Sequence, residues 1–292
     1  MAHSYLIAGC GYVGSALGDF LHRQGHAVTG LTRSPDSARL LSESHGWPVR
    51  AADLTDPGSL GAIGGSYDAV VHCASSGRGG AEAYRAVFLD GLKHLSTAFP
   101  GIPILFTSST SVYGQTDGSL VHESSPTEPD RETGLILLAA EQFVMRLGGT
   151  ALRLAGLYGP GRSVYLTKLL DGTARIETGA VNRLLNQIHR DDAVAAIATV
   201  LASPRETVSG RIFNVVDDTP LTQRECYEGL ARHFGLPVPA EAPPNLERKR
   251  AWTHKRVDNA RLKSLGWRPR YPGFLEAVEH DPGLVDSCRP RA

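Results

Sequence analysis

The sequence predicts an α/β fold: a doubly wound parallel sheet, followed by a smaller C-terminal lobe. Three observations carry that prediction. Short apolar runs alternate with helical patterns from the first residues to about residue 215. The first of these runs passes directly into a G-x-G-x-x-G turn. After Thr219 the alternation stops, and Pro237, Pro239, Pro243 and Pro244 crowd together in irregular chain. Regular strand–helix alternation is the pattern of a parallel sheet with helices on both faces.

The opening strand is Tyr5–Ala8, and the turn Gly9-Cys10-Gly11-Tyr12-Val13-Gly14 follows without a break. From Ser15 to Gln24 the apolar residues Ala16, Leu17, Phe20 and Leu21 recur at helix spacing, and Gly25 closes the helix. Strand, glycine turn and helix in this order make a dinucleotide-binding fingerprint. Gly9 permits the tight turn, Gly11 lets the backbone approach a pyrophosphate, and Gly14 allows helix and strand to pack closely. Tyr12 and Val13 complete the turn, which presents uncapped N–H groups and the positive end of the helix dipole to phosphate.

The second strand, Ala27–Leu31, leads through Thr32 to Arg33 and Ser34. An acidic residue here would accept the ribose 2′-hydroxyl of NAD, whereas a guanidinium pairs with a 2′-phosphate. Arg33 therefore favours NADP over NAD, the alternative being a solvated arginine at a strand end. A helix is expected at Pro35–Ser44 and a third strand at Pro48–Ala51, with Asp53 and Leu54 just beyond it. The fourth strand, Ala69–Cys73, delivers Ala74 and Ser75. Both segments stand at carboxyl ends of strands, where such sheets bind ligands, although Asp53 could equally cap the next helix. Then come a helix over Glu82–Ala98, a strand at Ile104–Thr107, a helix over Glu132–Leu147 and a strand at Ala151–Leu154. Asp191–Ala202 reads as an apolar helix and Arg211–Val216 as a strand. The expected division is a dinucleotide-binding domain over 1–160 and 186–216, with a small substrate lobe formed by 161–185 and 217–292.

The segment Phe106-Thr107-Ser108-Ser109-Thr110-Ser111-Val112-Tyr113-Gly114 resembles the serine segment of the NAD(P)-dependent epimerase/dehydratase family, the extended short-chain dehydrogenases/reductases. Further matches follow in that family's order: Arg153–Gly161, Ile188–Asp192, Phe213–Val215, Lys255–Asn259 and Leu265–Pro269. The compact glycine spacing looks like an atypical branch. The resemblance implies a Rossmann fold, places Asp53 and Leu54 near the adenine, and sets Ala74 and Ser75 along the cofactor. It also matches Ser109 to the serine that binds the reacting oxygen of the substrate. A hydroxyl there can donate to a developing alkoxide while a second group moves the proton. Otherwise Ser108 and Ser109 are hydroxyls satisfying backbone groups at a strand end.

The family's proton-transfer group is a tyrosine with a lysine four residues later. In that register this chain has Thr133 and Leu137, with Glu141 four residues further on. Positions four apart share a helix face, so both usual groups leave the site together. Tyr113 and Tyr158 are the tyrosines nearest in sequence to the motif matches, and Tyr113 is the candidate replacement acid; packing is the plainer role for either.

Thirty basic residues balance thirty acidic ones, so no net field draws the chain to nucleic acid or membrane. Cys10, Cys73, Cys226 and Cys288 have no C-x-x-C spacing, which predicts reduced thiols and no metal site. No apolar run approaches a membrane span and the first strand leaves no room for a cleaved signal, so a cytoplasmic location is expected. Arg248, Lys249, Arg250, Lys255, Arg256, Arg261, Lys263, Arg268 and Arg270 cluster near the C-terminus, opposed by Glu247 and Asp258. They read either as a clamp for a phosphorylated small-molecule substrate or as a solvated face. Two functions remain open: an NADP-dependent reductase, epimerase or dehydratase acting on a nucleotide-sugar-like or phosphorylated carbonyl compound, or a non-catalytic NADP-binding sensor or scaffold. The oligomeric state is not legible.

Overall fold

The computed structural model describes residues 1–77, 79–179, 182–243 and 253–289. Its helices are α1 (Tyr12–Arg23), α2 (Pro35–His45), α3 (Pro57–Gly61), α4 (Ala81–Tyr84), α5 (Gly91–Ala98), α6 (Glu132–Arg146), α7 (Val164–Leu170), α8 (Arg190–Ala202), α9 (Arg205–Val208), α10 (Gln223–Phe234), α11 (Ala260–Lys263), α12 (Phe274–His280) and α13 (Pro282–Cys288). The chain falls into two compact units, one of residues 1–112, 129–153 and 196–213 and one of 113–128, 154–195 and 214–292.

The main sheet contains β1 (Ser4–Ala8), β2 (Ala27–Thr32), β3 (Val49–Ala51), β4 (Ala69–His72), β5 (Ile104–Ser109), β6 (Thr150–Leu154) and β7 (Ile212–Val215). Its order is β3-β2-β1-β4-β5-β6-β7, and every pairing from β3 to β5 is parallel. The order reverses between β1 and β4, the switch point at which such sheets open a crevice for ligands. Leu6, Ile7, Val70, Val71, Phe106 and Leu152 are wholly buried, as strands covered on both faces require. Helix α1 turns Val13, Leu17 and Leu21 inward; of the predicted stripe Leu17 and Leu21 are buried, while Ala16 and Phe20 are half-buried.

The helix expected over Glu82–Ala98 is interrupted. Between α4 and α5 the residues Arg85–Asp90 form a π turn, and Gly91 N–H reaches back to the Ala86 carbonyl. The buried His72 ring donates from Nε2 to the Val87 carbonyl at 3.0 Å, so the widened turn gains a hydrogen bond from β4. No helix-period pattern reports such a side-chain bond from a distant strand.

The second unit is assembled from short pairings. Gly156–Tyr158 runs parallel to Gln187–His189, and Leu120–Val121 parallel to Arg256–Val257. Leu184–Leu185 pairs antiparallel with Leu221–Thr222. Its core gathers Tyr158, Leu166, Ile176, Tyr227, Leu230, Phe274 and Leu284. Helix α10 starts with a capping box, Thr222 accepting from Glu225 N–H while the Glu225 carboxylate accepts from Thr222 N–H. This unit takes in 113–128, 154–160, 186–195 and 214–216 besides the two segments expected from the sequence. The strand pairs just named supply the reason, since they tie residues far apart in sequence to one another. Among the described residues no helix is long and apolar enough to cross a membrane, and no three or more His, Cys, Asp or Glu side chains come together as a metal site.

Two buried groups give stability opposing pH dependences. Burial pushes the Asp192 carboxyl up to about 6, against hydrogen bonds from the Arg270 and Tyr271 N–H groups. The folded chain then holds that proton more tightly between pH ~4 and ~6, and stability from this group falls as pH rises through that window. Burial pulls His72 down to about 4. The unfolded chain binds that proton first, so stability from His72 is lost as pH falls from ~6.5 to ~4. Each effect amounts to about 3 kcal/mol. Urea unfolding between pH 4 and 7 should therefore show a steeper rise of stability with pH in Asp192→Asn and a shallower one in His72→Phe.

Candidate functional site

In the first unit the glycine turn joins β1 to α1. Gly9 has φ +106°, and its N–H, with that of Cys10, donates to the Leu31 carbonyl at 3.0 Å. A Cβ on Gly9 would lie 2.4 Å from the Ala74 backbone, and one on Gly14 only 2.0 Å from the Gly9 carbonyl oxygen. A Cβ on Gly11, by contrast, would meet nothing within 4 Å. The turn is thus closed where strand and helix must touch, and open at Gly11 where a ligand would approach. Helix α1, which begins at Tyr12, Val13 and Gly14, has no side-chain cap at Gly11 and no acidic residue in its first turn, the arrangement in which a helix N-terminus attracts an anion. These features fit a dinucleotide pyrophosphate.

The neighbouring strand ends hold the other expected residues. Arg33 is exposed just past β2, and Ser34 caps α2 by accepting from Ser37 N–H. Asp53 uses its Oδ1 to accept from both Thr55 N–H and the Thr55 hydroxyl, while Asp56 caps α3. Leu54 is buried, and its carbonyl receives His94 Nδ1 at 2.8 Å. Ala74 faces the Gly9 backbone, and Ser75 accepts from Gly77 N–H. Burial pushes the thiols of both Cys10 and Cys73 up to about 12, so neither is a ready nucleophile.

Ser109 ends β5, and its Oγ accepts from Ser111 N–H at 3.2 Å. The hydroxyl keeps its own proton for another acceptor. Ser108 points the other way, into a buried network. Its hydroxyl donates to Glu141 at 2.6 Å, and Arg153 donates to the same carboxylate from Nε at 3.0 Å and Nη2 at 2.7 Å. All three side chains are almost fully buried. Sequence reading used Ser108, Glu141 and Arg153 only as motif letters and missed this charge network; an arginine in a fully apolar strand was the available signal. On α6, Thr133 is half-buried and Leu137 is part of the apolar interior.

In the second unit Tyr113 is wholly buried. Its hydroxyl is placed 2.9 Å from Asn214 Oδ1 and 3.1 Å from the His122 carbonyl. One phenolic proton facing two fixed acceptors serves structure better than proton transfer. Tyr158 donates to the Gly273 carbonyl, and burial with nearby Asp217 and Asp192 raises its pKa further above the ordinary phenol value. The basic cluster is largely engaged within its own unit. Lys255 binds the Tyr113 carbonyl, Arg261 lies 3.6 Å from Glu123, Lys263 is 2.6 Å from Asp218, and Arg268 donates to the Lys263 and Trp267 carbonyls. Arg270 lies over the Tyr271 ring and Arg256 is exposed. Glu247, Arg248, Lys249, Arg250 and Pro244 lie outside the described residues.

Comparison with known proteins agrees with this geometry. Protein YeeZ of Escherichia coli K12 is 28% identical over 277 residues, which cover 92% of this chain and 96% of that protein. A solved structure from Methylobacillus flagellatus, assigned to the NAD-dependent epimerases/dehydratases, is 30% identical; the match spans 98% of this chain and 99% of that one, with a TM-score of 0.77. UDP-glucose 4-epimerase of Thermus thermophilus, solved with NAD, shares the fold at a TM-score of 0.79 and 22% identity, with 98% of each chain covered. The family model described as NAD dependent epimerase/dehydratase matches residues 5–215. With the switch-point glycine cradle, the β5 serine and that match in hand, the chain belongs to the NAD-dependent epimerase/dehydratase family.

Proposed function

We propose that this protein binds NADP in its first unit and acts on a small carbonyl or hydroxyl compound, nucleotide-sugar-like or otherwise phosphorylated, as a reductase, epimerase or dehydratase in the cytoplasm. The observation that carries the reading is the cradle: Gly9 and Gly14 tolerate no Cβ, while Gly11 faces open space at an uncapped helix N-terminus. Bound there, the nicotinamide would supply hydride transfer. Gly11, Tyr12, Val13 and Gly14 would hold the pyrophosphate, and Arg33 the 2′-phosphate. Asp53 and Leu54 would border the adenine, with Ala74 and Ser75 along the cofactor.

Ser109 would donate its free proton to the substrate oxygen and stabilise charge as it develops there. Tyr113 anchors the serine segment, and its proton is already committed. The usual tyrosine–lysine relay is replaced by Thr133 and Leu137, so proton transfer must come from another group or from water. One observation favours the second reading, a non-catalytic NADP-binding sensor or scaffold: Leu137 is buried on α6 and offers the site no polar atom.

Cofactor choice is testable at once. Fluorescence titration should show tighter binding of NADPH than NADH, and Arg33→Ala should shrink the preference by about 1.5–3 kcal/mol, roughly 10- to 150-fold. Equal affinities in the wild type would rule out the role given to Arg33.

A further inference from the structure

We infer that Lys255 is the positioning residue for the segment that follows Ser109, holding its main chain through a buried, charge-assisted bond to Tyr113. Lys255 is 3% exposed, and its ammonium donates to the Tyr113 carbonyl at 2.6 Å, its one partner among the described residues. No carboxylate among the described residues pairs with it. A buried cation is normally matched by an anion, so a lysine spent on a neutral carbonyl marks a bond the fold keeps at a cost.

The surroundings point to the same assignment. Residues 113–115 are fastened from three sides: Tyr113 through its hydroxyl to Asn214, its carbonyl to Lys255, and the Gln115 carbonyl to His254 N–H at 3.1 Å. Two of these bonds come from one short stretch, His254–Lys255. That stretch is held in turn by Asn186, whose amide donates to the Lys255 carbonyl and accepts from Val257 N–H. The charged groups on the described stretches beside Lys255 and Tyr113 have other bonds or stay in solvent, and the buried Asp217 three residues past Asn214 has its carboxyl pushed up by burial. Asp117 accepts from Ser119 N–H, Glu123 accepts from Asn214 N–H and lies by Arg261, and Asp258 accepts from Ala260 N–H. His254 Nδ1 accepts from Leu184 N–H, His122 meets the Ser124 hydroxyl, and Arg256 is exposed.

Burial pulls the Lys255 ammonium down to about 8. Loss of its proton would turn a charged donor into a weak one and loosen the segment as pH rises. The functional weight of this positioning rests on the role proposed for Ser109, four residues before Tyr113.

Hydrogen exchange by mass spectrometry tests it without any substrate, on peptides spanning 109–118 at pH 7 and 9.5, corrected for intrinsic exchange. Wild type should lose roughly tenfold protection at pH 9.5, while peptides from α1 keep theirs. Lys255→Arg, charged at both pH values, should keep protection at both, and Lys255→Met should lack it at both. Should Lys255→Met prove unfolded, wild type against Lys255→Arg still decides. Wild-type protection in Lys255→Met, or equal losses in wild type and Lys255→Arg, would overturn the assignment. The outcome is independent of the dinucleotide titration, so failure here and failure of the proposed function are told apart.

Discussion

Replacing Arg153 by alanine should cost about 3–5 kcal/mol of unfolding free energy, the range expected when a buried ion pair loses one partner. Glu141 is 1% exposed and would be left as an unpaired carboxylate in the sheet–helix interior. Among the described residues Ser108 would still donate to it, at 2.6 Å. Glu141→Ala removes the carboxylate that the buried Arg153 guanidinium binds through Nε and Nη2 and should also destabilise the fold. The double change Glu141→Leu with Arg153→Met removes both charges and should lose markedly less than the sum of the single changes. Ser108→Ala should cost about 1–2 kcal/mol, because Arg153 still neutralises the carboxylate. Urea denaturation of the four variants checks the ordering. Single variants within 1 kcal/mol of wild type would mean that the pair contributes nothing to stability.

Gly14→Ala should have the largest effect on cofactor binding. Its Cβ would fall 2.0 Å from the Gly9 oxygen and 3.3 Å from Ile7 Cγ2, so α1 must back away from β1. Such overpacking strains a core by about 1–3 kcal/mol. It also moves the helix N-terminus off the phosphates, and dinucleotide affinity should drop by roughly 100-fold or more, about 3 kcal/mol. Gly11→Ala separates packing from binding. Its Cβ enters open space, so stability should stay near wild type while affinity falls through contact with the pyrophosphate. Thermal unfolding and NADPH titration on the two variants give the comparison. If Gly11→Ala binds as wild type does, the ligand does not approach there.

Much of the sheet was legible because its physics is local. Leu6, Ile7, Val70 and Val71 form continuous apolar runs in strands buried on both faces, and Leu17 and Leu21 keep helix spacing on α1. Glycine spacing located the cradle, because only a missing Cβ fits against Ala74 and the Gly9 carbonyl. Features set by distant partners could not be read in this way. The π turn at Arg85–Asp90 is bonded by His72, and the Ser108–Glu141–Arg153 network joins two strands to a helix. The basic C-terminal cluster read either as a clamp or as a solvated face because sequence gives charges without partners. In the fold Arg261 and Lys263 face Glu123 and Asp218, and Lys255 is buried on a carbonyl. Tyr113 was singled out by proximity in sequence, whereas its hydroxyl turns inward to Asn214.

A crystal structure of the protein soaked with NADP is the most direct test of the central claim, that the β1–α1 turn is a working dinucleotide cradle selective for the 2′-phosphate. The pyrophosphate should lie within hydrogen-bond distance of N–H groups at Gly11–Gly14, and the 2′-phosphate on Arg33. A pyrophosphate bound elsewhere, or an Arg33 side chain pointing away from a well-ordered adenosine, would contradict it.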